Sequence, residues 1–270
     1  MKKYIVLSAF AVASAFAQAP AQPSPAAVAT SAAGSSVQNA TAPAVGARRA
    51  APARPKGPTP HLADGTVDLS GVWNGGGPIG DVTQGIVPKG AKLSMTPTGE
   101  KIFKSRQSKD DPEANCLPTG VPRISPYPWR MVQDKDHVWI LYEGNIHSFR
   151  QIFTDGRKHK DDPDPTWYGE SIGHYEGDTL VVDTIGYNDK FWFDFNGHPH
   201  SESLHTIERY TRKDLGTLQI DTKIIDPVMY TEPFDISFTA TLRPREELME
   251  YICQENQQDA KHLIGFTGLQ

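Results

Sequence analysis

Nowhere in the 270 residues is there a GxxxxGK[ST] loop, a GxGxxG opening a helix, or an HExxH, and the one GxSxG spacing, Gly169 to Gly173, lies in a run that reads as a strand rather than at a strand-to-helix elbow. These absences leave no support for a serine hydrolase, a nucleotide-dependent enzyme or a zincin protease. Basic excess is missing too. Lys and Arg number 27 against 32 Asp and Glu, and losing Lys2 and Lys3 with a leader makes the balance more acidic still. Nucleic acid selects basic faces, so it is not expected as a partner. Beyond the first residues no segment is apolar enough to cross a bilayer, which takes about 20 residues, so no membrane span is expected in the mature chain. Aromatic residues are absent from 18 to 60.

What is present begins with MKKYIVLSAFAVASAFAQ. Lys2 and Lys3 form a positive start, Tyr4 to Phe16 a short apolar run, and Ala15-Phe16-Ala17 a small-residue cleavage signal. Residues 1–17 therefore read as a signal peptide, with a periplasmic or extracellular destination. Residues 18–62 are dominated by Ala, Pro, Ser and Thr. Such a stretch buries too little apolar surface to offset its ordering entropy, and it reads as a linker. Cys116 and Cys253 are the two cysteines. Outside the cytoplasm they can form a disulfide; two buried thiols are the alternative.

Residues 63–270 read as one all-β domain, mainly antiparallel: an up-and-down barrel or a strongly curved sheet, with a sandwich as the alternative. Long irregular loops come first. A short helix is expected over 97–106, with Thr96 as N-cap and Pro97 behind it. Five prolines in CLPTGVPRISPYPWR make 116–130 a packed loop. From His137 short strands alternate with turn signals, including Glu176-Gly177-Asp178 between WYGESIGHY and TLVVDTIGY. Leu218, Ile220 and Ile224 share one strand face, as do Ile236, Phe238, Ala240 and Leu242. LMEYICQE reads as a last strand, and about 255–264 as a short helix.

Three clusters carry candidate chemistry. In FNGHPHSESLHTIER, equal parity would turn His198, His200 and Glu202 to one side. Two imidazoles and a carboxylate are a common ligand set, so a divalent metal ion is the candidate cofactor. The bland alternative is a hydrogen-bonded loop. In GESIGHYEGDTLVVDT, His174 lies near several carboxylates, as a general base would. Asp178 reads as a turn residue, whereas Asp183 must face solvent or find a partner. In IHSFRQIF, either His147, Phe149, Gln151 and Phe153 point inward, or Arg150 does. An inward Arg150 would need Glu170 or Glu208. Aromatics at 187–195, Trp192 among them, form a lid or a pinned loop.

The segments QIFTDGRKH, PTWYGESIGHYEGDTLVVDTIGYND, GHPHSESLHTIERYTR, IDPVMYTEPF and LMEYICQEN resemble a group of secreted proteins common in soil bacteria. The resemblance spans about 67–265; Tyr175 stands where that group commonly has Trp. It implies export and a lipocalin-like β-barrel, without an established reaction. It also implies that His174, Glu176, Asp178, Asp183, His198, His200, Glu202, His205 and Glu208 matter as a set. The leading expectation is an enzyme acting on a small organic molecule by isomerisation, elimination or hydrolysis. His174, His200 and Glu202 would be catalytic, and Arg150, His147 and Trp192 would hold substrate. The alternative is a periplasmic or surface binding protein for a small-molecule ligand.

Overall fold

The computed structural model describes residues 53–78, 80–144 and 146–255. The expected signal peptide, most of the linker and all but the first residue of the expected C-terminal helix lie outside them. The strands are β1 (Gly71–Gly75), β2 (Ile86–Val87), β3 (Trp129–Gln133), β4 (His137–Tyr142), β5 (Ser148–Phe153), β6 (Glu170–Glu176), β7 (Thr179–Ile185), β8 (His205–Asp214), β9 (Thr217–Ile225) and β10 (Phe234–Leu242). The one α-helix is α1 (Pro97–Ser105) among the described residues, and Thr96 caps it by accepting from the Gly99 N–H. No described helix is long and apolar enough to cross a membrane.

Nine strands close into a barrel in the order β1-β3-β4-β5-β6-β7-β8-β9-β10, with β10 pairing back to β1. β2 is a short tenth strand on β10. Strand direction must return to itself around a closed ring. An odd ring therefore cannot be antiparallel throughout, and here the parallel pair is β5–β6. Parallel neighbours cannot be joined by a tight hairpin, so residues 154–169 cross from one to the other. β5 and β6 pair only at Ile152↔Ser171 and Phe153↔Ile172. Gly173 permits this approach, because a Cβ there would lie 2.9 Å from the Ile152 side chain. A lipocalin-type barrel has eight antiparallel strands; this ring has nine strands and one parallel seam.

The interior is filled by side chains of two kinds. On the β1, β3, β9 and β10 side it holds Trp73, Trp129, Met131, Leu218, Ile220 and Ala240. Trp73 and Trp129 oppose one another in register and stack with ring centroids 6.3 Å apart. On the β5 to β8 side the inward positions include Arg150, Ser171, Thr184, Thr206, Glu208 and Tyr210, all buried. The alternation expected for β9 and β10 is observed, with Phe238 only partly buried.

Three expectations are corrected and one open alternative is decided. Residues 53–62, assigned to the linker by composition, lie against the barrel: Leu215 N–H donates to Gly57 O, Thr59 Oγ1 donates to Arg212 O, and Pro55 packs on Gly216. Small and proline-rich sequence is compatible with a strap whose partners are backbone groups. β3 follows directly on the proline-rich loop, which hid it. LMEYICQE is no strand. It runs as an irregular strap whose N–H groups at Met249 and Tyr251 donate to Glu143 Oε2 and His147 Nε2. On β5 Arg150 points inward, and Phe149 is 61% exposed. The disulfide is present, joining Cys116 to Cys253 with Cα atoms 5.5 Å apart. It ties the strap to the proline-rich loop, which Arg123 also holds through buried ion pairs to Asp111 and Glu113 at 2.7 Å.

Candidate ligand cleft at the parallel seam

Arg150 sits inside the ring beside the seam, with every polar neighbour supplied by the next strands. Its Nε donates to Ser171 Oγ on β6 at 3.0 Å and its Nη2 to Thr184 Oγ1 on β7 at 2.7 Å. Nη2 also pairs with Glu208 Oε2 on β8, while Tyr210 OH donates to Glu208 Oε1 at 2.8 Å. Burial opposes the Arg150 charge, but Glu208, Tyr187 and Tyr210 outweigh it and hold the guanidinium pKa well above its ordinary value. Burial and Glu208 push the Tyr210 phenol up as well. The group is thus a locked ion pair in a low-dielectric interior. Its network leaves Arg150 committed to Glu208 rather than free for an anionic ligand.

Outside this network the seam opens into a cleft of about 430 Å³. Its floor reaches Arg150 and Ser171. Phe149, Phe153, Trp167 and Tyr168 supply aromatic walls, and Lys160 and Glu170 face one another across its rim at 3.8 Å. The cleft exists because β5 and β6 are apart ahead of their two paired positions, so the crossover has to form the opposite wall. Burial raises the Tyr168 phenol to about 12, so it stays protonated and bonds Ser148 Oγ at 2.7 Å.

The residues expected to be catalytic do not converge. His174 lies on the outer wall, its side chain 65% exposed and beside Glu176 at 3.1 Å. Glu202 is exposed in a turn. His200 is buried against Phe191, with ring centroids 3.7 Å apart. Burial pushes its pKa down to about 3. Its Nδ1 faces Ser201 O at 3.3 Å, and Nε2 has no hydrogen bond of good geometry, although a Phe191 backbone group lies near enough to favour the charged form. Parity failed here because Pro199 and the following turn keep 198–202 out of any strand. His147 is exposed and accepts from Tyr251 N–H instead of lining the interior. Trp192 is buried beneath Arg106, whose Cζ lies 4.7 Å from the ring centroid. The aromatic stretch is a pinned loop.

The expected metal set His198, His200 and Glu202 is likewise dispersed. His198 instead joins Asp81 and Asp194, and their ligand atoms lie within 4.8 Å of one another. That trio has the composition of a metal site, but its atoms already have work. Asp194 Oδ2 accepts from Val82 N–H at 2.6 Å and faces His198 Nδ1 at 2.6 Å, while its Oδ1 accepts from His198 N–H. Asp81 caps the turn at Thr83. These are the bonds of a loop clasp, and an ion would have to displace several of them.

A different set forms on the outer wall of the seam. Asp183 on β7 accepts through Oδ1 from His205 Nε2 on β8 at 2.9 Å and from His159 Nε2 on the crossover at 3.0 Å. Glu170 Oε1 lies 3.6 Å from His159 Nδ1. His205 and Asp183 were visible in the sequence as polar residues of adjoining strands. His159 was not singled out, since a loop carries no period to place it. Compared with known proteins, the chain matches no family model, no curated protein and no solved structure.

Proposed function

We propose that this is an exported binding protein for a small neutral organic molecule, seated in the cleft between β5 and the crossover. The observation that carries the reading is the composition of that cleft. Four aromatic side chains line a volume of about 430 Å³, within the roughly 300–1,000 Å³ usual for small-molecule sites. Its inner charges are paired, Arg150 with Glu208 and Lys160 with Glu170, while Asp164 is an exposed residue of the lining. A ligand with a flat apolar face and several hydrogen-bonding groups fits such walls better than a strongly charged one. The scattering of His174, His200 and Glu202 removes the constellation on which an enzyme reading stood. Export is supported by the N-terminal sequence and by the disulfide, which belongs to oxidising compartments. The resemblance to secreted soil-bacterial proteins is in keeping with this.

Ligand-detected NMR against a library of neutral aromatic and polyhydroxy compounds tests the proposal on the wild-type protein. Hits should quench Trp167 fluorescence, and Trp167→Ala should weaken them by about 1.5–3 kcal/mol, the burial value of a large apolar side chain. Hits indifferent to both Trp167→Ala and Phe149→Ala, or a library without a single saturable binder, would overturn it.

A further inference from the structure

The geometry points to a transition-metal site of the zinc class on the outer wall, formed by His159, Asp183 and His205 with Glu170 as the supporting carboxylate. Three separate segments bring these side chains together: the crossover, β7 and β8. Nothing in the ladder requires that. Asp183 Oδ1 lies 3.0 Å from one imidazole Nε2 and 2.9 Å from the other. Neighbouring ligand atoms on a tetrahedral zinc ion, with bonds of about 2.0–2.2 Å, stand roughly 3.3 Å apart. The nitrogen-to-oxygen separations are hydrogen-bond lengths a few tenths of an ångström shorter than that edge, so the two imidazoles have to swing toward one another about Asp183 for an ion to enter between them. Asp183 is 39% and His205 34% exposed at the side chain, so an ion can arrive from solvent and keep an open position.

The supporting shell is present as well. Metal-bound imidazoles usually give their second N–H to a carboxylate, which fixes the tautomer. His159 Nδ1 and Glu170 Oε2 are both buried without a hydrogen-bond partner, and Glu170 Oε1 lies 3.6 Å from that nitrogen. A His159 proton on Nδ1, with the ring moved a few tenths of an ångström toward Glu170, would be bonded there and leave Nε2 free for the ion. The surrounding charge favours a cation: two carboxylates face Lys160, whose Nζ lies 3.8 Å from Glu170, and Arg157, which also acts on Glu170 but is paired with Asp155 at 2.6 Å. Nitrogen-rich donors select zinc-like ions over calcium or magnesium, which prefer oxygen. In contrast with the Asp81, Asp194 and His198 clasp, no backbone N–H is bonded to Asp183 among the described hydrogen bonds, so an ion displaces only the cluster's own two imidazole–carboxylate bonds. An ion here would fasten the crossover to β7 and β8, and with it the wall of the cleft from Lys160 to Tyr168.

Zinc titration of the metal-stripped full chain by calorimetry, with cobalt substitution followed by visible absorption, tests the site. The expected result is one saturable zinc ion per chain, with the absorption of low-symmetry four-coordinate cobalt. His159→Gln, His205→Gln and Asp183→Asn should each weaken zinc by more than the supporting change Glu170→Gln, which should cost about 10–100-fold. Asp81→Asn should leave zinc binding unchanged. Circular dichroism on these partly exposed variants checks their folding. On the wild type, histidine-labelled NMR should show two imidazole Nε2 signals moving with zinc. Absence of saturable uptake, uptake retained in all three ligand variants, or uptake lost in Asp81→Asn alone would overturn the assignment.

Discussion

Around one side of the ring, β9 and β10 stay in register from Phe234↔Ile224 to Thr241↔Thr217, and their inward residues are apolar apart from Thr222. Around the other, β5 and β6 meet at two positions, and the interior beside them is an ion pair wrapped in hydroxyls. The two sides are closed by different physics. Apolar packing is non-directional and each buried group contributes separately. A buried charge is tolerable only while its partner remains. The seam therefore depends on a few mutually dependent groups, and the tryptophan side on many independent ones.

Deleting one partner and then both is the sharpest way to break this comparison. Arg150→Met should cost about 3–5 kcal/mol by leaving Glu208 buried and uncompensated, while Arg150→Met with Glu208→Leu should recover most of that loss. Trp129→Ala should cost a similar 3–5 kcal/mol through the cavity it leaves, with no second deletion to rescue it. Denaturant unfolding of the four proteins checks this, and equal losses in the single and double seam variants would erase the distinction. Acid sharpens it further. His200 is a titratable group in aromatic surroundings with no compensating acid. Its folded pKa of about 3 lies below the ordinary 6.5, so the unfolded chain takes up the proton first. Stability should be intact above about pH 6.5 and fall by roughly 1.4 kcal/mol per unit as pH drops from there toward 3. His200→Leu should flatten that slope in pH-dependent melting. The smallest effect belongs to the outer face of the seam strand. Phe149→Ser should move stability by no more than about 0.5 kcal/mol, although its neighbour Arg150 is critical; a larger change in melting would place Phe149 in the core.

How much of this was legible depended on period. β9 and β10 declared their faces because Leu218, Ile220 and Ile224 alternate with polar residues. β5 stayed open because its two phenylalanines share a face that hydrophobicity would bury, while Arg150 lies on the other. The correct signal was distant: Glu208 lies on the inward parity of β8, with Thr206 and Tyr210, and such a carboxylate needs a cation across the barrel. Arg150 was one of the two stated options, and Glu208 one of its two stated partners. The loop residues were not legible in this way. His198, His200 and Glu202 look like a row only if the chain is extended, which Pro199 and the turn at Glu202 prevent. His159 belongs to a cluster that exists only after the crossover has folded back onto β7. The parallel joint followed from the ring being odd, and strand count was the quantity the proline-rich loop concealed by hiding β3.

The crossover between Phe153 and Glu170 has one further consequence. Tight hairpins such as Glu176-Gly177-Asp178 fix strand register by their length, so adding a residue there shifts a whole ladder. The crossover spans a joint that register scarcely controls. It is the segment in which descendants of this chain can gain or lose residues while the ring stays intact, so the lining of the cleft can diverge there without the barrel being reinvented.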